Sequence, residues 1–310
     1  MNADLNHLIV RIRFGGACEH AAVGPKRSDG RMEQEAVADA VVLIHGLWMT
    51  PLSWEHWVTR YQQRGLKVVT PGYPGIEEGE AGVAALRNDP SPLANLGVRE
   101  VFDHLAEVID ALDTKPIIMG HSFGGAFTQL LLDAGYGAVG VSIDGAAVKG
   151  VKALPFSEIK ATFPVLHNPA NKDRAVPITE KEFHYAFTNN LSEEESKAVY
   201  DRYAVPVSGR ILFQGGFANF TPHAATTYNF ANDERAPLLF ISGGNDHILP
   251  PAVQHENFKK NVKHSEAITA YKLFSGRSHY TCGEDGWEAV ADFALDWALA
   301  PTPGDLDQHT

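Results

Sequence analysis

Cysteine is nearly missing from this chain, which holds only Cys18 and Cys282 in 310 residues. Two thiols build no disulfide framework, so stability has to come from a hydrophobic core, and the length is sufficient to bury one. Cys282 has no catalytic turn around it and reads as an idle thiol. Positive charge is scarce as well: Lys plus Arg number 26 against 38 Asp plus Glu, a formal net charge of −12. Without a basic run, that balance argues against a nucleic acid or an anionic membrane surface as partner. No run of about 18 apolar residues exists to span a bilayer. The N-terminus lacks a basic region leading into a long apolar core, with Asp4 interrupting it early. A cytoplasmic location is therefore expected.

What the chain does contain is an alternation of strand and helix signals, which favours an α/β fold with a mostly parallel sheet covered on both faces. Val41-Val42-Leu43-Ile44, Val68-Val69, Pro116 to Met119, Ala138 to Ile143, Pro237 to Ile241 and Ile268 to Phe274 read as strands. Thr50-Pro51 opens a helix whose stripe is Trp54, Trp57, Val58 and Tyr61, and Gly65 stops it. Val98, Val101, Phe102, Leu105, Val108, Ile109 and Leu112 mark a longer helix. These stripes belong to the core.

One motif carries chemistry. Gly120-His121-Ser122-Phe123-Gly124 follows the Pro116 to Met119 strand and runs into an amphipathic helix, Phe123 to Ala134. Strand, Gly-x-Ser-x-Gly and helix together are the context of a nucleophile elbow, in which a strained turn lifts the serine hydroxyl clear of the sheet at a helix N-terminus. Side chains at the two flanking glycines would collide. Ser122 is the candidate nucleophile.

A serine hydroxyl needs a base, and the base needs a carboxylate to orient it. Asp246 stands in the Ser242 to Pro251 loop after a strand, and His279 follows the last long strand, just ahead of the terminal helix. The order Ser122, Asp246, His279 is one in which such triads occur. Asp144 also ends a strand, but Gly145-Ala146-Ala147 behind it suits a hydrogen-bonded turn or a helix cap. The turn His45-Gly46-Leu47-Trp48 leaves the first strand, and the backbone N–H groups of Leu47 and Phe123 are candidate oxyanion donors. No spacing of histidines and carboxylates argues for a metal, and His121 reads as a buried neighbour of the nucleophile. No cofactor is expected.

With these parts in this order, the chain resembles the α/β-hydrolase superfamily, in its serine-nucleophile branch of esterases and lipases. The resemblance covers roughly residues 38 to 300. It implies a core of residues 32–145 and 236–300, with a cap or lid inserted at 146–235 where the βαβ rhythm is lost. Residues 1–31 are expected to be a loosely ordered arm or extension, although Leu8 to Phe14 could pair as a strand, and 301–310 a C-terminal tail. Twelve of the chain's thirty aromatic rings fall between 151 and 236, which suits an apolar wall over a pocket. Trp48, Phe156, Phe163, Phe213, Phe217 and Phe220 are the candidates to face a small-molecule substrate. The implied activity is hydrolysis of a small or medium carboxylic ester or lactone through an acyl-enzyme. C–C bond hydrolases, cofactor-free perhydrolases and ligand receptors on the same scaffold share the triad and stay open. Dehalogenase and epoxide-hydrolase relatives carry Asp at the elbow and are disfavoured.

Overall fold

A computed structural model of the protein describes residues 38–307. The candidate strand Leu8 to Phe14, the expected arm at 1–31 and Cys18 lie outside these residues. The central strands are β1 (Ala40–Ile44), β2 (Lys67–Val69), β3 (Ile117–His121) and β4 (Val139–Ile143). Residues 144–237 then separate β4 from the rest of the sheet and carry the short antiparallel pair β5 (Ala175–Val176) and β6 (Val207–Ser208). The sheet resumes with β7 (Leu238–Gly243), β8 (Thr269–Phe274) and β9 (Gly304–Asp305). Its order is β2-β1-β3-β4-β7-β8-β9. Every pair in it is parallel. The expected tail at 301–310 therefore adds an edge strand, with Ala270 beside Gly304 and Tyr271 beside Asp305.

All residues of β1, β3, β4 and β7 are buried, as strands covered on both faces must be. Side-chain alternation sorts them into two layers. Val42, Ile44 and Ile118 pack with Val101 and Leu105 of α3 (Val98–Asp110) and Phe127 and Leu131 of α4 (Phe123–Asp133). On the other face, Val41, Leu43, Ile117, Val141 and Leu239 meet Trp57 and Tyr61 of α1 (Glu55–Gln63) and Val290, Ala294 and Leu295 of α10 (Trp287–Leu299). Two buried polar atoms lock that second layer: Trp57 Nε1 donates to Cys282 O and Tyr61 Oη to Ala291 O, each at 2.8 Å. The helix expected from Pro51 starts as a 3₁₀ turn, Pro51–Trp54, before α1, and Thr50 caps it by accepting from Leu52 N. The remaining helices of the sheet layers are α2 (Gly79–Asn88) and α9 (Pro251–His264).

The long connection holds α5 (Phe156–Leu166), α6 (Glu180–Ala186), α7 (Glu193–Tyr203) and α8 (Gly209–Gly216). Thr179 with Glu182 and Ser192 with Glu195 form capping boxes that start α6 and α7. Backbone bonds fasten this segment to the loops at the strand ends: Val205 N donates to Trp48 O at 3.0 Å, and Tyr280 N to Phe187 O at 2.9 Å. Arg202 adds ion pairs to Glu55 and Glu80. Among the described residues no helix is long and apolar enough to cross a membrane.

Candidate active site

Ser122 sits between the last residue of β3 and the first of α4, with φ 56° and ψ −122°. That is left-handed territory, a strained conformation for a serine, and the neighbouring glycines make it tolerable. A Cβ on Gly120 would collide with the backbone of Gly124, and one on Gly124 with the Ile44 carbonyl. The two flanks thus need glycine for separate close approaches, not because their side chains would meet each other. Gly46 is the third such position: a Cβ there would lie 2.7 Å from Ser122 Cβ. The His45-Gly46-Leu47 turn can therefore pass directly over Ser122. Tyr73 Oη donates to His45 O at 2.6 Å, and the two rings stack with centroids 4.0 Å apart. Burial pushes the His45 imidazole down to about 4, so it is neutral and donates Nδ1–H to Gly46 O. Phe123 is the first residue of α4, a position whose N–H has no intrahelical acceptor.

His279 and Asp246 are brought together. His279 Nδ1 lies 2.6 Å from Asp246 Oδ2, and both side chains are fully buried. The other carboxylate oxygen accepts from Ile248 N at 2.7 Å and Leu249 N at 2.8 Å. A carboxylate that receives these bonds takes the imidazole proton on Nδ1 and leaves Nε2 with a free lone pair. His279 Nε2 is buried and has no partner, and Ser122 Oγ makes no hydrogen bond to it in this structure. Burial pushes the Asp246 carboxyl up and the His279 imidazole down. His121 packs against His279: its Nε2–H donates to His279 O at 2.8 Å, and the two rings are 4.7 Å apart. Asp144 is also buried, at φ 43°, but its carboxyl accepts from Gly243 N and makes no hydrogen bond to His279. Burial and the nearby Asp246 push the Asp144 carboxyl well above the usual carboxylate range.

The sequence pattern of the alpha/beta hydrolase family matches residues 41–293, which takes in the elbow, the Asp246 loop and His279. The chain belongs to the α/β-hydrolase family. Among solved structures it is similar to a monoacylglycerol lipase of Paleococcus ferrophilus, at 21% identity and TM-score 0.57 over 85% of this chain and 95% of that one. It is also similar to a pyrethroid hydrolase of Sphingobium faniae, at 18% identity and TM-score 0.58 over 85% and 98%. A third is polyneuridine aldehyde esterase, at 18% identity and TM-score 0.57 over 84% and 98%. No curated protein matches.

In this α/β-hydrolase a cavity of about 680 Å³ opens above Ser122. Leu47, Trp48 and Phe123 line it from the sheet side, and Phe163, Phe217 and Phe220 from the inserted segment. Two expected wall residues are elsewhere. Phe156, at the first turn of α5, is 79% exposed and outside the lining. Phe213 is half-buried, packed against the core and stacked on Phe217. Both were aromatic residues in the right segment, but helical phase turned other side chains to the cavity. Sequence reasoning missed Phe187, whose ring lies 5.0 Å from that of His279 and 6.0 Å from that of Trp48. It also missed Glu284, which accepts from Ser278 N and Oγ and so shapes the turn before His279. His121, Asp144 and His279 offer one potential metal-ligand atom each within 4.8 Å, the only such group among the described residues. His121 Nε2 and His279 Nδ1 already serve the hydrogen bonds above, so the three read as a buried hydrogen-bonded cluster.

Proposed function

We propose that this α/β-hydrolase is a serine hydrolase of small or medium carboxylic esters or lactones that works through an acyl-enzyme. Ser122 Oγ attacks the carbonyl carbon while His279 Nε2 takes its proton, and Asp246 holds the imidazole in the tautomer that allows this. The N–H groups of Leu47 and Phe123 receive the oxyanion of the tetrahedral intermediate. As the intermediate collapses, the proton on Nε2 passes to the leaving alkoxide. Water, deprotonated in turn by Nε2, attacks the acyl carbon, and as that second intermediate collapses Nε2 returns the proton to Ser122 Oγ and the acid leaves. The segment 146–235 acts as the cap that walls the pocket.

The observation that carries this reading is the buried Asp246–His279 bond of 2.6 Å, which leaves Nε2 unpaired, in a chain whose elbow serine lines a cavity. The largely apolar lining supports an ester over a strongly charged substrate. The structural neighbours named as a lipase, an esterase and a pyrethroid hydrolase agree with it. The test is steady-state hydrolysis of p-nitrophenyl esters of graded acyl length, with lactones and amides beside them. The proposal requires repeated turnover of an ester or lactone by the wild-type protein and loss of about 10⁴-fold or more in kcat in Ser122→Ala. Single-turnover binding without release, or an active Ser122→Ala, overturns it.

A further inference from the structure

One carboxyl in the cavity wall is used by none of the steps above. Glu158 lies on α5 among the lining residues, with Ile159, Thr162, Phe163 and Leu166 of the same helix beside it. Its Oε2 is buried without a hydrogen-bond partner, and no described residue hydrogen-bonds to or ion-pairs with its carboxyl. Lys152 also lines the cavity but is exposed and forms no ion pair with it. A buried polar group left unsatisfied costs roughly 1–3 kcal/mol, so a fold keeps one where something else completes it. In a cavity wide enough for a ligand, a bound substrate group can be that partner.

We propose that Glu158 is the polar anchor of a substrate subsite that binds a hydroxyl group carried by the ester. This rests on the serine-hydrolase reading for the identity of the ligand, though not for its binding. The choice of hydroxyl follows from charge. Burial, together with the negative neighbour Asp246, pushes the Glu158 carboxyl up to about 8. At neutral pH it is therefore protonated, one donor and one acceptor, and its complement is a neutral group that also donates and accepts. A hydroxyl does both. An ammonium group would have to ionise the carboxyl first, against burial. In a largely apolar cavity such an anchor fixes which end of the substrate faces Ser122 and discriminates against analogues that lack the hydroxyl.

The experiment compares related esters on both sides of the scissile bond, with the propyl and hydroxyethyl esters as the isosteric pair. On the alcohol side these are propyl butyrate, hydroxyethyl butyrate and trimethylammonioethyl butyrate. On the acyl side they are a p-nitrophenyl alkanoate and its ω-hydroxy counterpart of equal length. Wild type, Glu158→Gln and Glu158→Leu are assayed for kcat/KM, with melting temperature as the check that each variant is folded. The proposal predicts a hydroxyl preference of about tenfold or more in one series, kept in Glu158→Gln and lost in Glu158→Leu. No preference in wild type, or an equal preference in Glu158→Leu, overturns it. A preference for the trimethylammonium ester that both variants lose also overturns it, in favour of a cation site. If no ester is turned over, the serine-hydrolase reading fails by itself. Calorimetric binding of the same ester pairs to Ser122→Ala, with and without Glu158→Leu, still reads the hydroxyl preference directly. Equal affinities for the hydroxyl and deoxy esters there refute the subsite.

Discussion

Replacing Asp246 by Asn changes one atom of the side chain and reverses one hydrogen bond. In the wild-type site, one carboxylate oxygen accepts from Ile248 N and Leu249 N, and the other meets His279 Nδ1 at 2.6 Å. An asparagine in the same pose keeps its carbonyl oxygen on the two backbone N–H groups. Its amide nitrogen then faces Nδ1 and can only donate, so Nδ1 must accept and the imidazole proton moves to Nε2. A base that carries its proton on the wrong nitrogen cannot take one from Ser122. The loss expected in kcat is about 10⁴-fold, equivalent to about 5.4 kcal/mol in the barrier. Asp144→Asn is the control within the same buried cluster. Its carbonyl oxygen can still accept from Gly243 N, and it has no bond to His279 to reverse, so kcat should fall less than about tenfold. Both variants are assayed with one p-nitrophenyl ester at one pH, with melting curves to confirm that each is folded. A larger loss in Asp144→Asn than in Asp246→Asn would refute the assignment of the acid and exchange the two roles.

The pH profile follows from the same pair. Its working state holds one proton, on Nδ1, and a second blocks the base wherever it lands: on the imidazole directly, or on the carboxyl, which then donates to Nδ1 and leaves the ring proton on Nε2. Burial pushes the Asp246 carboxyl up to about 7 and the His279 imidazole down, and the second proton is taken up by the pair as a unit. Thus kcat/KM should fall as pH drops through about 7 and level off above it, and a profile flat down to about pH 5 would contradict this. In the cavity wall, each acyl methylene buried before the pocket fills should raise kcat/KM by up to about fourfold, the equivalent of about 0.8 kcal/mol. Phe217, 45% exposed, is better covered than Phe220 at 83%. Phe217→Ala should therefore shift the preferred acyl length more than Phe220→Ala, and an unchanged length profile in both variants would mark these rings as packing alone.

Much of the scaffold was legible because it repeats local rules. Strands buried on both faces read as continuous apolar runs, and the elbow announces itself by glycines that no other residue can replace at that close approach. Asp246 and His279 were legible through order and loop context alone, since the 2.6 Å bond between them joins positions 33 residues apart. The edge strand Gly304–Asp305 was not, because two residues leave no periodic trace and the pairing depends on where β8 ends. In the inserted segment, aromatic content was visible but helical phase was not. Phe213 and Phe217 are one helical turn apart and stack on each other, yet only Phe217 lines the cavity. Glu158 was hidden for the opposite reason. A glutamate on a short helix looks like part of a solvated face, and only the packing of the inserted segment covers its Oε2.

The central claim is a covalent acyl group on one serine. Acid quench of the protein during turnover of a slow p-nitrophenyl ester, followed by intact-mass and peptide-level mass spectrometry, measures it directly. The account predicts a mass increase equal to the acyl group, confined to the peptide that contains Ser122, rising to near one per protein in a variant slowed in deacylation and absent from Ser122→Ala. Continued product release with no adduct at any time point, or an adduct of the same occupancy in Ser122→Ala, would contradict it.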